Sequence, residues 1–195
     1  MNQNTVVLIF GGSSGFGERL AVAFENSMNV YVTGRRESSR KGYIQHNMND
    51  LNQEFLERIN PDIIINNGFT KNNYTSSYQA SLTVLRESFN YLKNKGHGKI
   101  MNINSISGLI PDTMDPDYAA AKHALKGYSS SITFDAYKSG IQIMDIYPRA
   151  IATGMNLGRQ DFDDLIDADE LAEFLVSLCR QKSFYVGSIQ IDRVR

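Results

Sequence analysis

The sequence has no tryptophan, a single cysteine and almost no excess charge: 20 Lys and Arg stand against 21 Asp and Glu, a formal net charge of -1. A near-neutral chain offers no electrostatic attraction for nucleic acid or an anionic membrane, so neither is expected as a partner. The one cysteine, Cys179, cannot form an internal disulfide, and no Cys/His cluster has zinc-ligand spacing, so no metal is expected. Beside Leu175, Val176 and Leu178 it reads as a buried thiol. Long hydrophobic runs are also missing. Val6–Phe10 is too short for a membrane span or signal peptide, and Met1-Asn2-Gln3-Asn4 before it carries no basic region. A cytoplasmic protein is expected. What is present is ordinary globular material, 195 residues with 42% hydrophobic and 21% charged, enough for one compact domain over residues 1–195.

Short apolar runs alternate with amphipathic segments. Val6–Phe10, Val30–Thr33, Ile63–Ile65, Ile100–Ile103 and Ile141–Tyr147 are near-continuous, and Ser188–Ile191 is a shorter run. Strands buried on both faces have this pattern. Helices are predicted over Phe16–Asn26, Leu51–Ile59, Tyr78–Lys95, Asp117–Ser139 and Ala168–Arg180. The order implies an α/β fold: a shortened Rossmann-type, doubly wound, mostly parallel sheet with helices on both faces. One connection resists. Only nine residues separate Thr33 from Tyr43, and a parallel crossover normally needs a dozen or more. Either that connection is a stripped-down loop, or Tyr43–Gln45 is not a full strand.

The first strand runs into Gly11-Gly12-Ser13-Ser14-Gly15-Phe16-Gly17, and a helix follows. Glycines let a pyrophosphate approach the backbone, and the N–H groups and dipole of the next helix meet its charge. The order of strand, glycines and helix points to a dinucleotide; the plain alternative is a tight βα turn. After the second strand, an enzyme that takes NAD places an acid against the ribose 2′-hydroxyl. Here Gly34 is followed by Arg35 and Arg36, whose guanidinium forks suit a 2′-phosphate. This reads as NADP(H), against the alternative of a solvated basic loop. Further on, Tyr118 and Lys122 lie four apart in a predicted helix and so share a face. Ser105 follows the run Ile100–Ile103, at the strand end where doubly wound sheets bind ligands.

The turn Gly11-x-x-x-Gly15-x-Gly17, with Ser105 thirteen residues before Tyr118-x-x-x-Lys122, resembles the short-chain dehydrogenase/reductase family. Asn66-Asn67-Gly68 matches that family's Asn-Asn-Ala-Gly, and Pro148-Arg149-Ala150-Ile151-Ala152-Thr153 matches its Pro-Gly-x-Ile-x-Thr. The resemblance implies an NADP(H)-dependent enzyme that interconverts a small-molecule carbonyl and its alcohol. Tyr118 would be the general acid and base, Ser105 would hold the substrate oxygen, and Lys122 would bind the nicotinamide ribose. A Lys122 ammonium beside Tyr118 is expected to lower the phenol's pKa. The implied cofactor contacts are Gly11, Ser13, Ser14, Gly15, Phe16 and Gly17 at the turn, and Arg35 and Arg36 at the 2′-phosphate. Asn47 and Met48 would meet the adenine, Asn66, Asn67 and Gly68 the adenosine side, and Pro148, Ile151 and Thr153 the nicotinamide. A homodimer through the two longest helices is implied, with a second interface near Ser188–Ile191 in tetramers.

Several positions depart from the family. Phe10 stands where it has Thr, Arg149 where it has Gly, and Phe69 where it has the last Gly of Asn-Asn-Ala-Gly. Its catalytic Asn, counted back from Ser105, falls on Ser77, with Asn72, Asn73 and Gln79 nearby. The substrate lid after Thr153 is trimmed to about a dozen residues, Gly154–Leu165, with a small lid or open pocket expected. These departures keep a second function open, a catalytically weak or inactive dinucleotide-binding sensor or scaffold of the same fold.

Overall fold

A computed structural model describes residues 4–70 and 73–194. Its strands are β1 (Val6–Phe10), β2 (Asn29–Gly34), β3 (Tyr43–Gln45), β4 (Ile63–Asn66), β5 (Gly98–Ile103), β6 (Ile141–Pro148) and β7 (Ser188–Ile191). Its helices are α1 (Gly15–Glu25), α2 (Gln53–Ile59), α3 (Tyr74–Lys95), α4 (Pro116–Lys138) and α5 (Ala168–Cys179). The sheet order is β3-β2-β1-β4-β5-β6-β7, and the strand pairs are parallel throughout. This is the doubly wound fold expected from the alternating pattern.

Alternate residues of each strand point to opposite faces, so the apolar runs feed two cores. On one face Val7, Ile9, Ile63, Ile65, Met101 and Ile146 pack against Leu20 and Phe24 of α1 and Leu171 and Leu175 of α5. On the other, Leu8, Phe10, Ile64, Ile100 and Ile143 meet Leu56 of α2, Leu85 and Leu92 of α3, and Leu125 of α4. Cys179 is buried in the first core, as expected.

Helix starts are set by caps more than by apolar spacing. α2 begins at Gln53, two residues after the predicted start, because the Phe55 N–H donates to Asn52 Oδ1 at 2.9 Å. α3 begins at Tyr74, four residues earlier than predicted, where the Ser76 N–H donates to Asn73 Oδ1 at 2.9 Å. That first turn is polar, so periodicity alone does not reveal it. The β2–β3 link is the stripped-down loop: residues 35–42 carry no helix, and Tyr43–Gln45 is a parallel strand beside Val32–Gly34. Gly42, at φ 73°, permits this because a Cβ there would lie 2.5 Å from the Val30 carbonyl oxygen.

A buried polar row crosses the sheet near its carboxyl edge. Asn66 Nδ2 donates to Asn102 Oδ1 at 3.1 Å, Asn102 Nδ2 donates to Asp145 Oδ1 at 2.8 Å, and Ser129 Oγ donates to Asp145 Oδ2 at 2.6 Å. Burial raises the Asp145 pKa, with the bonds from Ser129 and Asn102 pulling the other way. A carboxyl that holds its proton more tightly folded than unfolded weakens the fold as pH rises past its unfolded value of about 3.9. Asp145→Asn keeps the hydrogen-bonding shape. It is expected to raise the melting temperature at pH 7, by a margin that shrinks as pH falls. An unchanged or lower melting temperature at pH 7 would mean that the ionised row is net stabilising.

Candidate active site

The carboxyl ends of the strands open into a cleft of about 910 Å³. One end is built by the β1–α1 turn. Gly11 has φ 75°, and a Cβ there would lie 2.6 Å from the Gly68 Cα. A Cβ on Gly17 would lie 2.0 Å from the Gly11 carbonyl oxygen. Gly15, at φ 57°, would have nothing of the protein within 4 Å of such an atom, so it faces open space. Phe10 is fully buried in the core, so it supplies no hydroxyl tether. The turn is held instead by the Gly11 and Gly12 N–H groups, both donating to the Thr33 carbonyl at 3.2 Å, and by Asn67 Nδ2 donating to Gly11 O at 3.1 Å. Ser14 caps α1 without a side-chain hydrogen bond, so the helix opens toward the cleft with its first N–H groups uncovered by a cap. An open, glycine-edged helix terminus fits a dinucleotide pyrophosphate.

The other end carries the predicted acid–base group. Ser105 stands just past β5 in extended conformation, and its hydroxyl accepts from the Ser107 N–H at 3.2 Å. α4 starts at Pro116, and Asp115 caps it by accepting from the Tyr118 N–H at 3.2 Å. This aims the first turn, with Tyr118, at the cleft. One turn on, Lys122 is 3% exposed, with Nζ 3.4 and 3.5 Å from the carbonyls of Ile103 and Asn104. Its Nζ lies 4.2 Å from the Phe69 ring centroid and 5.7 Å from that of Tyr118.

The electrostatics correct one expectation. The Tyr118 pKa is raised, not lowered: burial dominates, the hydrogen bond with Ser105 opposes it, and Asp112 and Asp115 add to the rise. Lys122 is itself pushed down to about 7 by burial, so it is a weak source of positive field for the phenol.

Ser105, Tyr118 and Lys122 line the same cleft as Gly11, Ser13, Ser14, Gly15, Phe16, Arg35, Asn47, Met48, Asn67, Gly68, Pro148, Ile151 and Thr153. Three predicted cofactor contacts do not line it. Gly17 packs against Gly11, Asn66 belongs to the buried polar row, and the Arg36 carbonyl accepts from the Tyr43 hydroxyl while its side chain stays off the cleft wall. Asn47 spends its amide oxygen on the Asn49 N–H at 3.2 Å. Of the stand-ins for the family Asn, Ser77 is buried and bonded to the backbone of Thr70, Asn73 caps α3, Gln79 is exposed, and Asn72 lies outside the described residues.

Thr33 and His46 are among the cleft residues that escaped the sequence reading. Thr33 Oγ1 and His46 Nε2 are buried with no hydrogen-bond partner among the described residues. His46 stacks on Phe55 at 4.1 Å, and burial lowers its pKa. Its position directly before Asn47 was the available signal. Past Thr153 the lid is reduced to two short 3-10 turns, Gly154–Asn156 and Phe162–Asp164. Asp161 between them is gripped by Arg159 at 2.9 Å and Arg193 at 2.8 Å. Among the described residues there is no metal-binding cluster and no helix long and apolar enough to cross a membrane.

The family model described as short chain dehydrogenase matches residues 68–163, the stretch that holds Ser105, Tyr118 and Lys122. The chain is 25% identical over 182 residues to the 3-ketodihydrosphingosine reductase of Bacteroides thetaiotaomicron, covering 80% of this chain and 68% of that protein. Its fold is similar to that of ElxO with NADP bound, at a TM-score of 0.81 and 20% identity over 97% of each chain. It is equally similar to the 3-ketoacyl-(acyl-carrier-protein) reductase from Brucella melitensis complexed with NADH, at a TM-score of 0.81 and 19% identity over 97% of this chain and 96% of that one. The chain belongs to the short-chain dehydrogenase/reductase family, which is a family of oxidoreductases.

Proposed function

We propose that this protein is an NADP(H)-dependent oxidoreductase that interconverts a carbonyl compound and its alcohol, with Tyr118 as general acid and base. The observation that carries this reading is the meeting of Ser105, Tyr118 and Lys122 in one cleft with the open glycine-edged start of α1. When bound, the reduced dinucleotide would supply hydride to the carbonyl carbon. Tyr118 donates its phenolic proton to the carbonyl oxygen in reduction and takes a proton back in oxidation. Ser105 hydrogen-bonds the same oxygen and fixes it beside the phenol. Lys122, held by two backbone carbonyls, presents its amine to the ribose hydroxyls.

The preference for NADP(H) is supported from two sides. Arg35 stands at the cleft edge with His46 and Asn47. Position 34 carries no acid that would repel a 2′-phosphate, and a Cβ there would lie 2.7 Å from Ser13 Oγ and 2.8 Å from the Tyr43 hydroxyl, so a side chain would fit only if those two side chains shifted. Paired fluorescence titrations should show NADPH binding at least roughly tenfold tighter than NADH, and Arg35→Ala should remove most of that margin. Equal binding of the two in the unaltered protein would overturn the phosphate role of Arg35 and leave the fold standing. Tight NADPH binding without turnover of any carbonyl in a broad panel would favour the sensor or scaffold.

A further inference from the structure

Phe69 is a cleft residue that this reading leaves unused, at the position where the family has glycine. Both of its flanks are clamped by α3. Ser81 Oγ donates to the Gly68 carbonyl at 3.1 Å. On the other side the Thr70 N–H donates to Ser77 Oγ at 3.2 Å, and that hydroxyl donates to the Thr70 carbonyl at 3.0 Å. Ser77 and Ser81 are one helical turn apart, share a face and are buried. With residues 68 and 70 both pinned, the ring between them has little freedom. It lies 4.2 Å from Lys122 Nζ, edge-on to Tyr118 at 5.6 Å and stacked with Tyr74 at 6.3 Å. Tyr74 in turn donates to Asp115, the residue that caps α4 at Tyr118.

We propose that Phe69 is a positioning residue for the catalytic pair: its ring, pinned by Ser77 and Ser81, keeps water from the α3 side of Lys122 and holds the amine facing the cleft. The serine that stands where a relay Asn was expected serves to fix this cover. The proposal rests on the catalytic reading of Tyr118 and Lys122, although the placement of the ring over the amine does not.

Two effects of the ring oppose each other. An apolar cover disfavours the ammonium by desolvation, and a π face attracts it. The groups around the amine are few. Tyr118 shares its helix, Tyr74 faces the site from α3, the end of β5 presents backbone carbonyls, and Asp112 and Asp115 act on Tyr118 from the segment before α4. Burial alone accounts for the lowered value of Lys122.

The test is a pH titration of the full chain carrying ¹³Cε-labelled lysine, followed by NMR without cofactor, with the Lys122 signal assigned by Lys122→Arg. Phe69→Ala admits water and should raise the Lys122 midpoint by about one unit or more. Phe69→Leu keeps the apolar cover without the π face and should lower the midpoint by about half a unit to one unit. Phe69→Tyr should restore the original value. A filler role predicts no such opposition of sign, so midpoints unchanged in both variants, or moved the same way, overturn the proposal. If Phe69→Ala does not fold, the Leu and Tyr variants carry the test. Opposed midpoints in a protein that turns over no carbonyl would reject the catalytic reading while keeping the placement. Unmoved midpoints with turnover intact would do the reverse.

Discussion

Tyr118→Phe is expected to reduce carbonyl turnover by on the order of 10²–10⁴-fold while leaving NADPH affinity within about threefold. The substitution removes one oxygen and keeps the ring, so the edge-on contact with Phe69 at 5.6 Å and the tilted contact with Tyr74 at 5.7 Å survive. What is lost is the hydroxyl, with its hydrogen bond to Ser105 and the proton it would give and take at the substrate oxygen. The direction of the Tyr118 pKa shift adds a second readout. Burial raises it, so the phenol stays protonated through neutral pH. Reduction should therefore proceed at neutral pH, and alcohol oxidation, which needs the phenolate, should climb as the solution becomes alkaline. Turnover that survives in Tyr118→Phe would move the proton donor elsewhere, and the neighbouring hydroxyl to examine is Ser105.

Gly17→Ala is expected to abolish cofactor binding and destabilise the fold together. The added methyl would sit 2.0 Å from the Gly11 carbonyl oxygen and 2.5 Å from Asn67 Nδ2, the two atoms whose hydrogen bond closes the β1–α1 turn. One partner is backbone and has little capacity to retreat. Overpacking of this kind costs about 1–3 kcal/mol, and the lost Asn67 bond adds about 1 kcal/mol. Thermal melting and an NADPH titration read the two effects separately. Gly15→Ala is the contrast: it meets open space, although its φ of 57° still strains a side chain. Its damage should fall on binding far more than on melting. A Gly17→Ala protein with unchanged melting and affinity would show that α1 does not seat against Gly11 as described.

The fold was legible because the apolar runs are unusually continuous. Ile63–Ile65 and Val6–Phe10 are buried on both faces, and that double burial is what a periodicity reading detects. Helix starts were legible only where apolar spacing and capping agree. At α3 the first turn is Tyr74-Thr75-Ser76-Ser77, whose role lies in a cap and a clamp that leave no hydrophobic period. In the cleft, residue types at fixed spacing were readable, and Ser105, Tyr118 and Lys122 line it together. Long-range packing was not. That Asn66 turns into the sheet while Asn67 braces the turn depends on strand pleat, which reverses their faces. That Lys122 is nearly dry, and so weakens as a charge beside Tyr118, depends on Phe69 arriving from another element.

The helix-free β2–β3 loop has a thermodynamic consequence for ligand capture. Tyr43 donates to the Arg36 carbonyl, Gln45 Nε2 donates to the Arg35 carbonyl at 3.1 Å, and Arg40 pairs with Glu25 at 2.8 Å. The backbone that carries Arg35 has therefore surrendered much of its conformational entropy during folding, and association need not spend it again. Removing the Tyr43 or Gln45 tether would leave the Arg35 side chain itself unaltered, yet should make capture of a phosphate there entropically less favourable.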